Sequence, residues 1–142
     1  MRLTDTPYGE GSPRLSPDGR YMAYVSDMSG RFEVYVTSFP SGQGRWQVSV
    51  DGGDLPRCNR KGDELFFVDL SNRLMSVRVR VSPSFVADTP VVVFDGGRVS
   101  PPVQLGNSYD VSSDGRRFVA VQQVGAAEQA RAEGVLVEDW RK

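Results

Sequence analysis

The residues with most chemistry to offer are two arginines and an aspartate in matching surroundings, Arg14, Arg57 and Asp110. Each arginine follows a proline, and Asp110 follows Tyr109 at the same place in a third copy of the pattern. Guanidinium groups brought around one axis could grip a carboxylate or a peptide through charge-assisted, bidentate hydrogen bonds. The plainer use of the same side chains is to pair with one another, or to be solvated along a channel.

Other chemistries find less to work with. There is no histidine, which removes the commonest general base and the commonest metal ligand together. A serine nucleophile would lack its usual activating base, and no Gly-X-Ser-X-Gly occurs. The single cysteine, Cys58, permits neither an intrachain disulfide nor a cysteine-based zinc site, and it reads as a small buried hydrophobe. Ser16-Pro17-Asp18-Gly19 offers one carboxylate where a calcium loop needs several, so it reads as a turn with Asp18 bonding its own backbone. Gly42-Gln43-Gly44 and Gly52-Gly53 sit in hairpin-like turns with no following helix, which makes them poor phosphate loops. Neighbouring carboxylates such as Asp63-Glu64 and Glu138-Asp139 point apart in extended chain. The residues therefore assign no catalytic group, no metal set and no cofactor.

What positions these residues is a repeat. Pro13-Arg14-Leu15-Ser16-Pro17-Asp18-Gly19-Arg20 is followed 43 residues later by Pro56-Arg57-Cys58-Asn59-Arg60-Lys61-Gly62-Asp63. A third copy, Tyr109-Asp110-Val111-Ser112-Ser113-Asp114-Gly115-Arg116, starts 53 residues beyond the second. A period near 40 built from short strands predicts propeller blades. Asp18-Gly19, Lys61-Gly62 and Asp114-Gly115 each separate two strand-like runs, where a tight hairpin needs positive φ. After each turn the apolar positions agree: Met22, Leu65 and Phe118, then Val25, Val68 and Val121. Third strands are expected over Phe32 to Phe39, Leu74 to Val81 and Val135 to Trp140, and fourth strands over Arg45 to Val50 and Val91 to Phe94. From Arg73 to Val81 the chain alternates, with Met75, Val77, Val79 and Val81 on one face and Ser76, Arg78 and Arg80 on the other. Ala126 to Glu133 reads as a loop or a single turn. The expected fold is all-β, a partial propeller of three four-stranded antiparallel blades over about 11–50, 54–95 and 107–140.

Composition narrows the partners. A net charge of −1 gives no long-range field to recruit nucleic acid or an anionic membrane, and 15 of the 17 cations are arginines scattered along the chain. No window approaches the roughly 20 apolar residues of a membrane span. Met1 to Glu10 carries no apolar run of the signal-peptide kind, so the segment as written reads as cytoplasmic. A periplasmic or extracellular origin follows if it belongs to a longer exported chain.

Ser16-Pro17-Asp18-Gly19-Arg20 and Glu33-Val34-Tyr35-Val36 resemble the TolB-type, WD-like propeller repeats, with the turn degraded at Asn59-Arg60-Lys61-Gly62 and Ser112-Ser113-Asp114-Gly115. The ending Val135-Leu136-Val137-Glu138-Asp139-Trp140 is similar to propellers appended to bacterial receptor-type Ser/Thr kinases. The resemblance implies a protein- or peptide-binding scaffold, and it carries no catalytic residues to transfer. The alternatives are half of a carboxylate-metal hydrolase or lactonase, or a gene fragment without a function of its own. Three blades are fewer than the ~4–8 that close a ring. Arg2-Leu3-Thr4 reads as a spare outer strand, and the third copy lacks one. A head-to-tail homodimer, each residue 2–4 strand completing the partner's third blade, is the expected assembly, the alternative being that a longer parent chain supplies the missing blades.

Overall fold

Three tight turns organise the chain. Gly19, Gly62 and Gly115 stand at φ of 72°, 76° and 72°, and each amide donates to the carbonyl three residues back, on Ser16, Asn59 and Ser112. Only glycine takes that backbone geometry without strain. In the first and third turns a serine hydroxyl donates to the aspartate, 2.7 Å in Ser16–Asp18 and 2.6 Å in Ser112–Asp114. The aspartate in turn accepts the amide of Arg20 or Arg116. The second turn has lost its Ser-Asp pair, and Asn59 replaces it by accepting the amides of Gly62 and Glu64. One turn geometry is thus reached by two chemistries.

The computed structural model describes residues 6–99, 102–106, 109–124 and 131–138, with side chains described as far as Gln122. Its strands form three antiparallel sheets that follow one another along the chain. The first holds β1 (Glu10–Leu15), β2 (Tyr21–Ser26), β3 (Glu33–Ser38) and β4 (Trp46–Gln47). The second holds β5 (Asp54–Cys58), β6 (Glu64–Val68), β7 (Arg73–Arg80), β8 (Val86–Ala87) and β9 (Val91–Asp95). The third holds β10 (Tyr109–Val111), β11 (Arg117–Val124) and β12 (Arg131–Glu138). A short 3-10 turn, Gly96–Arg98, links the last two sheets.

The sheets depart from a uniform four strands. β4 is shorter than the expected Arg45 to Val50. In the second sheet β8 pairs with Val79 and Arg80 while β9 pairs with Arg73 to Ser76, so two short strands share the outer edge of β7. β12 begins at Arg131, inside the stretch expected to be a loop. Arg131, Ala132 and Glu133 register with Val124, Gln123 and Gln122, and the ladder of the long β11 captures their backbone groups. The expected spare strand, Arg2-Leu3-Thr4, lies outside the described residues, as do 125–130 and Trp140.

Alternation along the strands makes the core. In the middle sheet Leu65, Phe67, Met75, Val77 and Val79 face the first sheet, where they meet Ala23, Val25, Val34 and Val36. Phe66, Val68 and Leu74 face the other way and meet Tyr109, Phe118 and Ala120, with Val103 and Leu105 filling in behind. Phe66 and Phe67 are adjacent in sequence, each 1% exposed, and each belongs to a different core. A buried phenylalanine contributes about 1.5–3 kcal/mol, so β6 anchors both of its neighbours.

Candidate functional site

The three residues singled out by the repeat are structurally equivalent. Arg14 pairs with Ala23, Arg57 with Phe66 and Asp110 with Val119, one register position in three sheets. All three lie on the first strand of their sheet, at one edge of it.

A backbone irregularity aims the two arginines. The β1–β2 register slips between Gly11 and Arg14, and the β5–β6 register slips between Asp54 and Arg57. Within each slip a non-glycine residue takes positive φ directly before a proline, Ser12 at 50° and Leu55 at 54°. An L-residue rarely adopts this region, and a bulge re-aims the side chains that follow it. Across the two bulges the Ser12 hydroxyl donates to Asp54 at 3.0 Å, tying β1 to β5.

Tyr109 is the centre of the arrangement. Its ring is 3% exposed, and its hydroxyl donates to the carbonyl of Leu55, the bulged residue of the preceding sheet. The half-buried Arg57 guanidinium lies over the ring, 5.4 Å from its centre. Burial pushes the Tyr109 phenol well above the ordinary tyrosine range; Cys58 and Asp110 add to that shift, and Arg57 and Arg14 oppose it. Arg14, Arg57 and Asp110 therefore act on one phenol, although no salt bridge joins them among the described residues. Arg14 and Asp110 are exposed, and an Asp110 oxygen accepts the amide of Val111 at 2.8 Å. Cys58 packs beside the core, and burial raises its thiol to about 11, which keeps it protonated and unreactive at neutral pH.

With the Tyr109 hydroxyl committed to Leu55, the charged groups left facing outward are Arg14 and Asp110, beside the half-buried Arg57. Sequence reasoning does not mark Tyr109. The available signal is its place, since it stands where the other two copies carry Pro13 and Pro56. Beside it a shallow recess of about 220 Å³ runs along Asp110, Val111, Phe118 and Val119 at the free side of the third sheet. Among the described residues no group of three or more Asp, Glu or Cys converges at metal-binding distance. No described helix is long and apolar enough to cross a membrane.

No family model and no curated protein matches the sequence. Solved structures do match. Over 98% of its length the chain is similar to TolB from Acinetobacter baumannii, at 16% identity and a TM-score of 0.64, and it spans 32% of that chain. Over 96% of its length it is similar to oligogalacturonate lyase from Vibrio parahaemolyticus, at 15% identity and a TM-score of 0.72, and spans 40% of that chain. An oligogalacturonate lyase in complex with manganese gives 15% identity and 0.69 over 97% of the chain, again spanning 40% of the larger protein. Identities this low speak for the fold alone. The fold is a TolB-like β-propeller, and the three sheets are its blades.

Proposed function

We propose that this chain is a non-catalytic propeller segment that works by binding protein, and that a second copy, docked head to tail, is the partner that completes its ring. The observation that carries this reading is unequal exposure at equivalent positions. Val119 and Val121 in blade 3 are 44% and 40% exposed. Their counterparts in blade 2, Phe66 and Val68, are 1% and 5% exposed, because blade 3 packs on them. Blade 3 thus presents the face on which a following blade would sit.

Blade 1 of a second copy suits that face. Its outward side carries Tyr24 and Tyr35, with rings 6.0 Å apart. Setting Val119 and Val121 against this pair would repeat the contact inside the chain where Val25 and Val36 share a core with Phe67. The tyrosines are already 3% and 4% exposed in the single chain, so Val119 and Val121 reach them only once what covers them is displaced. Two copies give six blades, within the ~4–8 that close a propeller. The completed inner rim would then carry two sets of Arg14, Arg57 and Asp110, where a peptide carboxylate could be held.

Light scattering on the 142-residue chain at micromolar concentration tests the reading. A mass of twice 15.7 kDa is expected, and Val119→Asp should shift it to a monomer with an unchanged strand signal in circular dichroism. A well-folded wild-type monomer would overturn the dimer and point to blades supplied by a longer parent chain. Manganese titration addresses the rival carboxylate-metal reading: stoichiometric binding would move the case toward an enzyme.

A further inference from the structure

Blades 2 and 3 enclose a second feature, away from the Val119–Val121 face and sharing no residue with it. A cleft of about 770 Å³ opens between their first hairpin turns, with Arg60, Lys61, Arg78, Asp63 and Asp114 among its walls. The two turns are fixed to each other, because the Arg60 amide donates to the Ser113 carbonyl at 2.7 Å.

The charges in this cleft do not balance. Asp63 accepts the side-chain amide of Asn59 at 2.6 Å. Asp114 accepts the Ser112 hydroxyl and the Arg116 amide, at 2.6 and 2.9 Å. Both carboxylates are therefore engaged in shaping the turns. The three cations are exposed, and among the described residues no carboxylate lies within salt-bridge distance of any of them. Three cations against two carboxylates leave this cleft a net positive charge in a chain whose own net charge is −1.

We infer that this cleft is a binding site for an acidic peptide segment. An arginine fork matches a carboxylate in two parallel hydrogen bonds, and Arg60 and Arg78 supply two such forks with Lys61 as a point charge beside them. Asp63 and Asp114 in the same lining repel a compact dianion such as phosphate, whose charge is concentrated at one point. Single carboxylates spaced along an extended chain can meet the cations and avoid the aspartates. The volume falls within the ~300–1,000 Å³ of ordinary ligand sites, enough for several residues.

Fluorescence anisotropy with labelled hexaglutamate tests the assignment, with labelled hexalysine and unlabelled inorganic phosphate as the other arms. Saturable binding of hexaglutamate is expected, weakened about tenfold by Arg60→Ala with Arg78→Ala, as the sum of two exposed charge contacts. Raising salt from roughly 50 to roughly 300 mM should weaken it further, and phosphate at equal charge should compete poorly. Hexalysine should not bind. If the alanine pair fails to fold, Arg60→Gln with Lys61→Gln carries the same test. Binding indifferent to these substitutions, absent from the wild type, or displaced by phosphate at equal charge would overturn the site. The same variants should leave the light-scattering mass unchanged, which separates this site from blade closure.

Discussion

The Arg57 guanidinium covers the ring of Tyr109 while the Tyr109 hydroxyl donates to Leu55, two residues before that arginine. One side chain of blade 3 is therefore held at both its face and its tip by a single bulged strand of blade 2. Removing the tip should be measurable apart from removing the face.

Tyr109→Phe keeps the ring under Arg57 and deletes the bond to the Leu55 carbonyl. A loss of about 1 kcal/mol is expected, the usual net worth of such a bond, read as a lower urea midpoint at unchanged slope. Stability equal to the wild type would show that the carbonyl finds another donor.

The same residue sets an alkaline limit. Its phenol is raised above the ordinary value of 10.0, by burial first, so the folded state favours the neutral form. In the unfolded chain the group ionises near that ordinary value. Its stabilising contribution is therefore complete below about pH 10 and is lost as pH rises beyond it. The advantage of wild type over Tyr109→Phe should shrink or invert between about pH 8 and about pH 11. A gap that stays constant across that range would assign the alkaline loss to other groups.

Gly19 and Gly115 share a φ of 72°, but their surroundings differ. A Cβ at Gly19 would meet nothing within 4 Å, whereas one at Gly115 would lie 2.8 Å from a carboxylate oxygen of buried Glu64. Gly19→Ala should cost about 1 kcal/mol for the backbone alone, and Gly115→Ala clearly more. Gly19→Val adds a β-branched residue and should exceed Gly19→Ala. Thermal melts of the three variants give the order directly, and equal costs at Gly19 and Gly115 would argue against the contact with Glu64.

Glu33 is 1% exposed and accepts the Gly52 amide at 2.6 Å, the Arg31 Nε at 2.9 Å and the Ser49 hydroxyl. Ser49 in turn accepts the Val34 amide at 2.7 Å. Glu33→Ala strands several donors at once and should destabilise by about 3 kcal/mol, with Glu33→Gln costing less. An alanine variant within experimental error of wild type would remove this carboxylate from the account of blade 1.

Much of this architecture is legible in residue type and spacing alone. The Gly19, Gly62 and Gly115 turns and the alternation from Met75 to Val79 can be read that way, because positive φ and period two leave direct marks in sequence. Glu33 leaves none: a carboxylate opening a strand reads as solvated, and besides nearby Arg31 its partners Ser49 and Gly52 stand 16 and 19 residues away, beyond β4. The bulges at Ser12 and Leu55 are hidden for a related reason, since neither position carries the glycine that usually announces positive φ. Of the first-strand site, the equivalence of Arg14, Arg57 and Asp110 could be read from the repeat. The role of Tyr109 could not, because it depends on which blade face each first-strand residue confronts.

Phe66 and Phe67 point into different cores, so blade 2 carries a socket on one side and its matching plug on the other. A unit of this kind can be copied in tandem, because the plug of each new copy would meet a socket of the type it already fits. Single-residue changes of length within β6 have the opposite outcome: every side chain beyond the change would trade one core for the other. Addition of a whole blade is therefore expected to disturb the cores less than a one-residue insertion within β6.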